Sequence, residues 1–218
     1  MRELNVQVTT HGRLLVEDAV TAGPLRILAG CHGYGENADE MMERLRQIPA
    51  DPSWTRVSLQ ALHRFYRRRS QTTTVASWMT RQDREILIGD NLAYVDQAVT
   101  ATADGRPIEW LVFCGFSQGV AMAFRAGLRG ARKADAILAL GGDIPSELLE
   151  DPRIRFPRVL LARGSRDGWY SAEKMGADLG ALQARGVPVE QIVVDGGHDW
   201  HADFAARAAT MLSWPDPA

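Results

Sequence analysis

The feature that most constrains the fold of this chain is a regular alternation of short apolar segments with longer amphipathic ones. Strand-like segments read at Leu25 to Ala29, Arg56 to Gln60, Trp110 to Cys114, Ala136 to Leu140, Arg158 to Ala162 and Val189 to Val194. Between them, Ala38 to Gln47, Glu85 to Thr102, Val120 to Arg129, Ala172 to Arg185 and His201 to Trp214 read as helices. In the long central one, Ile86, Leu92, Val95 and Val99 recur near helical spacing. Such alternation predicts an α/β architecture, a mostly parallel sheet with helices on both faces. Ahead of it, Leu4 to Thr9 and Arg13 to Asp18 read as two extended segments joined at His11-Gly12, a hairpin. In an open parallel sheet, function collects in the loops at the carboxyl ends of the strands.

One of those strand ends carries Gly115-Phe116-Ser117-Gln118-Gly119, between the apolar run Trp110 to Cys114 and the helix-like Val120 to Arg129. A G-x-S-x-G between strand and helix makes a tight turn that lifts the serine hydroxyl above the sheet, and side chains at the glycine positions would crowd it. Ser117 is therefore a candidate nucleophile. A serine needs a base to take its proton and a carboxylate to orient that base. In chain order the acid precedes the histidine. Asp167 follows the Arg158 to Ala162 strand, and His198 follows the Val189 to Val194 strand behind Gly196-Gly197. Asp143 and Asp195 are rival acids, but Asp143 follows an earlier strand and Asp195 lies too near His198 in the chain. His201 is the rival base. A fourth strand end, Gly30-Cys31-His32-Gly33-Tyr34-Gly35, is glycine-flanked. It is suited to aim the Tyr34 N–H at an oxyanion together with the N–H of Gln118, with His32 bracing the loop.

Composition excludes several other classes. The chain has 218 residues, 25 Lys plus Arg against 27 Asp plus Glu, and a net charge of -2. No global field therefore argues for nucleic acid or an anionic membrane. No apolar run approaches the roughly 20 residues needed to span a bilayer, so no stable membrane anchor is expected. Two cysteines, Cys31 and Cys114, sit in apolar segments and read as free buried thiols, as in a cytoplasmic protein. The length suits a single domain over residues 1–218.

Taken together, Cys31-His32-Gly33-Tyr34-Gly35-Glu36-Asn37, the Gly115 to Gly119 elbow, Gly141-Gly142-Asp143-Ile144-Pro145, Gly164-Ser165-Arg166-Asp167 and Gly197-His198 resemble the serine carboxylesterase/phospholipase family of α/β-hydrolases. That family includes the acyl-protein thioesterases. The blocks occur in family order from about Leu25 onward. The resemblance implies an α/β-hydrolase fold without a large cap domain, acting on small-molecule esters or thioesters without metal or organic cofactor. It supports Ser117, Asp167 and His198 as triad and Tyr34 and Gln118 as oxyanion donors. Dienelactone hydrolases are disfavoured, since they carry cysteine at the nucleophile. The same triad also serves peptidases and lactonases, whereas a non-catalytic binding protein would usually have lost a triad member or an elbow glycine. Exposed edges of such sheets permit homodimers.

The chain departs from the family between its second strand and its central helix. The usual tryptophan-phenylalanine-aspartate stretch corresponds to Ser77-Trp78-Met79-Thr80-Arg81, which keeps only the tryptophan. The same loop holds the basic run His63-Arg64-Phe65-Tyr66-Arg67-Arg68-Arg69. Trp78, Met79, Tyr66 and Trp169 are candidate lining for an acyl pocket. Arg67 and Arg69 are candidate contacts to a negatively charged part of the substrate, against the plainer reading of a solvated surface.

Overall fold

A computed structural model describes every residue except Arg69, Gln71 and 214–218, so the candidate residue Arg69 and the expected helix end at Trp214 lie outside the described residues. In chain order the elements are β1 (Arg13–Glu17), β2 (Leu25–Cys31), α1 (Ala38–Gln47), β3 (Trp54–Gln60), β4 (His63–Phe65), β5 (Val75–Ser77), α2 (Arg84–Ala103) and β6 (Ile108–Phe116). They continue with α3 (Gln118–Arg129), β7 (Ala136–Leu140), α4 (Ser146–Leu149), β8 (Arg158–Gly164), α5 (Ala172–Ala184), β9 (Val189–Val194) and α6 (Ala202–Leu212).

Among the described residues, seven strands form one sheet in the order β1-β3-β2-β6-β7-β8-β9, with all neighbours parallel except β1, which runs antiparallel to β3. This is the alternating α/β sheet that the sequence predicts. Side chains alternate across it as the strand period requires. On β6, Leu111 and Phe113 join one apolar core, with Val95, Val99, Ala123, Phe124, Met175 and Leu182 from α2, α3 and α5. Trp110, Val112, Cys114 and Phe116 join the other, with Met41, Leu45, Phe204 and Ala208 from α1 and α6. Local chemistry starts the helices where the loops need them. Asn37 caps α1 by accepting from Glu40 N, while Glu40 reaches back to Asn37 N, a reciprocal capping box.

Two expectations change. Leu4 to Thr9 forms no strand; it lies exposed, and Arg13–Glu17 pairs with β3 from Arg13↔Gln60 to Glu17↔Arg56. The open edge of β3 offers a full ladder, whereas a two-stranded hairpin has no core against which to bury Leu4, Val6 and Val8. The second change is an added hairpin of β4 and β5, each only three residues long, with too few alternations to show in the sequence. Among the described residues, no helix is long and apolar enough to cross a membrane.

Cys31 and Cys114 are both free and buried, and they project into opposite cores. Burial pushes the Cys114 thiol up to about 12 and raises Cys31 as well. A thiol that cannot ionise is a poor nucleophile. The folded protein should therefore leave both thiols unmodified by a thiol-reactive chromophore, and both should react once it is unfolded in guanidinium. A thiol that titrates rapidly in the folded protein would contradict this packing.

Candidate active site

The site is built at the carboxyl ends of β2, β6, β8 and β9. Between β6 and α3 the backbone turns through Ser117, whose φ of 54° and ψ of -121° lie where L-residues are rarely found. The turn is held by Ser117 N donating to Leu140 O (2.9 Å) and Val120 N donating to Ser117 O (3.0 Å). It has no room for a side chain at Gly119, where an added Cβ would lie 2.0 Å from the Cys31 carbonyl oxygen.

Ser117, His198 and Asp167 come together in one hydrogen-bonded line. His198 Nε2 is 2.8 Å from Ser117 Oγ, and His198 Nδ1 is 2.8 Å from Asp167 Oδ2. The other carboxylate oxygen, Asp167 Oδ1, accepts from Trp169 N (2.8 Å) and Tyr170 N (3.0 Å). Burial works to raise the Asp167 carboxyl, but the Tyr170 N–H, the His198 ring and the Trp169 N–H outweigh it and hold it below the usual carboxylate range. The rival residues are engaged elsewhere. Asp143 pairs with Lys174, Asp195 is bound by Arg166 and Ser165, and His201 precedes α6 with Nε2 3.2 Å from Gly197 O. The loops carrying Asp167 and His198 are stitched together by Ser165 N to Val194 O and Arg166 N to Gly196 O.

The loop after β2 lies against the same turn. His32 is buried; its Nε2 accepts from Ala61 N (3.1 Å), so its Nδ1 carries the proton that bonds Gly33 O (2.7 Å). Burial lowers the basicity of this ring, in keeping with a neutral imidazole. The Gly33 carbonyl also accepts from Glu36 N (3.3 Å). Because a trans peptide points its N–H opposite to its C=O, pinning Gly33 O inward turns the Tyr34 N–H the other way. From behind, β5 supports the loop through Gly35 N to Ala76 O (2.9 Å) and Ala76 N to Glu36 O (2.8 Å).

The candidate substrate residues fall into distinct environments. Tyr34, Tyr66 and Trp169 are 62%, 59% and 76% exposed, large apolar surfaces open to an incoming molecule. Tyr34 rests on Phe65 of β4. Met79 is half-buried, and its backbone oxygen accepts from Gln118 Nε2 (3.0 Å). Trp78 is wholly buried, its Nε1 donating to His32 O (2.8 Å), and so braces the loop after β2. The Arg67 guanidinium donates to Gly35 O, next to Tyr34.

Several contributors have no sequence signal. The Gln118 side chain receives Trp78 N (2.9 Å) as well as reaching Met79 O, and buried Asn91 donates to Trp78 O (2.6 Å). The sequence marks Gln118 only for its backbone N–H, and nothing in the spacing ties it to residues some forty positions earlier. Among the described residues, no group of three or more His, Cys, Asp or Glu side chains is placed to hold a metal ion.

A family model described as phospholipase/carboxylesterase matches residues 24–151 of the chain. No curated protein matches it. Among solved structures, esterase PE8 is 24% identical, with 94% of this chain and 98% of that one covered and a TM-score of 0.73. The acyl-protein thioesterase 2 of Zea mays is 19% identical over 93% and 98% of the two chains, with a TM-score of 0.70. The Bacillus cereus carboxylesterase is 14% identical over 92% and 93%, with a TM-score of 0.65. At these identities the likeness to the solved structures is one of fold.

The lowered carboxyl of Asp167 makes a stability prediction. An acid whose folded pKa is depressed contributes stability above its unfolded value, and that contribution is lost as pH falls through the folded value. The difference in urea-unfolding free energy between the wild type and Asp167→Asn should be largest above about pH 5 and shrink below about pH 4. A difference that stays constant with pH would show that Asp167 is not held ionised by its three donors.

Proposed function

The chain belongs to the phospholipase/carboxylesterase family and is a carboxylic ester hydrolase; we propose that it works through a Ser117–His198–Asp167 triad and an acyl-enzyme intermediate. The observation that carries this reading is the unbroken line from Asp167 through His198 to Ser117, with 2.8 Å at each link. His198 takes the Ser117 proton on Nε2 as the hydroxyl attacks the ester carbonyl. Asp167, kept ionised by its donors, holds the ring by its Nδ1–H and stabilises the imidazolium that forms. The negative oxygen of the tetrahedral intermediate is held by the N–H groups of Tyr34 and Gln118, each such donor contributing on the order of 3 kcal/mol. His198 then passes the proton to the departing alcohol or thiol. Water, deprotonated by the same ring, cleaves the acyl-enzyme. Tyr34, Tyr66, Trp169 and Met79 offer apolar surface to the acyl or alcohol group.

Ser117→Ala should lower kcat for a nitrophenyl ester by on the order of 10⁶, with little change in Tm. A fluorophosphonate probe should label the wild type and not the variant. Labelling that survives Ser117→Ala would remove the serine from its assigned role, and an unlabelled, inactive wild type would favour a binding protein. A panel of ester, thioester, lactone and amide substrates separates the esterase reading from lactonase or peptidase chemistry.

A second, narrower reading concerns the basic β4–β5 segment. Arg67 reaches the backbone beside Tyr34, which places a guanidinium next to the proposed oxyanion donor. A substrate carrying a carboxylate or phosphate away from its scissile bond would be drawn to that charge. On this reading Arg67→Ala lowers kcat/KM for an anionic ester about tenfold more than for its neutral counterpart. Equal losses for the two would assign Arg67 to loop support alone.

A further inference from the structure

Glu36 and Arg44 lie outside the triad, yet their contacts run from one side of the site to the other. The two Glu36 oxygens accept from both terminal nitrogens of Arg44 at 2.6 Å, a bidentate pair with little exposure of either side chain. Glu36 Oε2 also accepts from Gly33 N at 2.7 Å, so the carboxylate grips the start of the oxyanion loop. Burial opposes ionisation of Glu36, but Arg44 and the Gly33 N–H overcome it and keep the carboxyl below its usual range. The guanidinium carbon of Arg44 stands 4.3 Å from the centre of the Phe116 ring, with the Trp200 ring at 5.8 Å. Phe116 in turn lies against the imidazole of His198, with ring centres 5.3 Å apart. Gly33, Glu36, Arg44, Phe116 and His198 therefore form one continuous stack.

We propose that the Glu36–Arg44 ion pair is a positioning device that holds the oxyanion loop and the catalytic base in register with each other. The proposal rests on the reading of Ser117 and His198 as nucleophile and base. Neither Glu36 nor Arg44 touches the reacting atoms. Glu36 fixes the peptide entering Gly33, and His32 fixes the carbonyl of the next one, so the Tyr34 N–H has a single direction. Arg44 supplies the cation that satisfies Glu36 and lies over the ring of Phe116, against which His198 also packs. A guanidinium suits both tasks, because it pairs with a carboxylate in its plane while stacking on a ring with its face. A lysine in its place keeps the charge and loses the fork.

The test is a kinetic cycle with p-nitrophenyl acetate on Arg44→Met, Glu36→Gln and the double variant, with Arg44→Lys and Ser117→Ala beside them. Glu36→Gln keeps an acceptor for Gly33 N and removes the charge. Each single variant should lose at least about tenfold in kcat, with KM within about threefold, since transition-state contacts are disturbed more than ground-state binding. The double variant should be no worse than the poorer single one, because the pair acts as a unit. Affinity for a trifluoromethyl ketone, which forms an oxyanion on the serine, should fall in parallel with kcat. Arg44→Lys, the mildest change and the one least able to unfold the protein, should show an intermediate kcat.

Wild-type kcat in Arg44→Lys together with losses that multiply in the double variant would overturn the proposal. So would a lowered kcat with unchanged affinity for the ketone. Full activity of Ser117→Ala would instead overturn the triad reading. An inactive Ser117→Ala beside fully active Arg44 and Glu36 variants would overturn the positioning role alone.

Discussion

The site depends on one close approach. The first turn of α3 lies so near the carboxyl end of β2 that a methyl group on Gly119 would sit 2.0 Å from the Cys31 carbonyl oxygen. Because β2 and β6 are parallel neighbours, with Cys31 opposite Gly115, the loop leaving one and the turn leaving the other emerge side by side. The two backbone N–H groups proposed as oxyanion donors, at Tyr34 and Gln118, therefore come from these two adjoining loops. An antiparallel neighbour would send its loop to the other end of the sheet. The parallel order of the strands thus acts on the chemistry directly, and the glycine lets the helix come close enough to use it.

That approach carries a cost, and the surrounding bonds show how it is met. A non-glycine residue at a φ of 54° and ψ of -121° stores strain on the order of 1–3 kcal/mol. It is held by the Ser117 N–H bond to β7 and by a helix whose apolar face is buried against the sheet. Asp167 carries a second cost, the desolvation of a carboxylate. Three hydrogen-bond donors outweigh it, two of them backbone groups from the turn the aspartate itself begins. In both places the opposing contacts come mainly from main chain. Their geometry is fixed by the fold, and little side-chain entropy is lost in making them.

Most of the fold was legible because it is written in periods. The six parallel strands and the five longer helices come close to the expected segments, with β7, β9 and α1 matching end for end. That Ser117, Asp167 and His198 would meet was legible for another reason. Each sits just past a strand, in an order that the parallel topology converts into proximity. The hairpin at the start failed because an extended reading of Leu4 to Thr9 says nothing about a partner, and β3 was the better one for Arg13–Glu17. The short β4–β5 pair and the helix Ser146–Leu149 are below the length at which a period can be recognised.

What the sequence concealed is a single kind of contact: a polar side chain gripping the main chain or the charge of another loop. Gln118 holds Trp78 and Met79, Asn91 holds Trp78, and Trp78 holds His32. None of these pairings has a spacing, and each becomes evident only once the loops are in place. Their arrangement carries a consequence for how such a site can change. The basic β4–β5 segment is bonded through Ala76 to the backbone of Gly35 and Glu36, one and two residues from Tyr34. A change in that segment therefore also pulls on the loop that carries Tyr34, the proposed oxyanion donor. The Glu36–Arg44 pair grips the same loop at Gly33 N. On the proposed mechanism, that second anchor limits how far such a pull can turn the Tyr34 N–H.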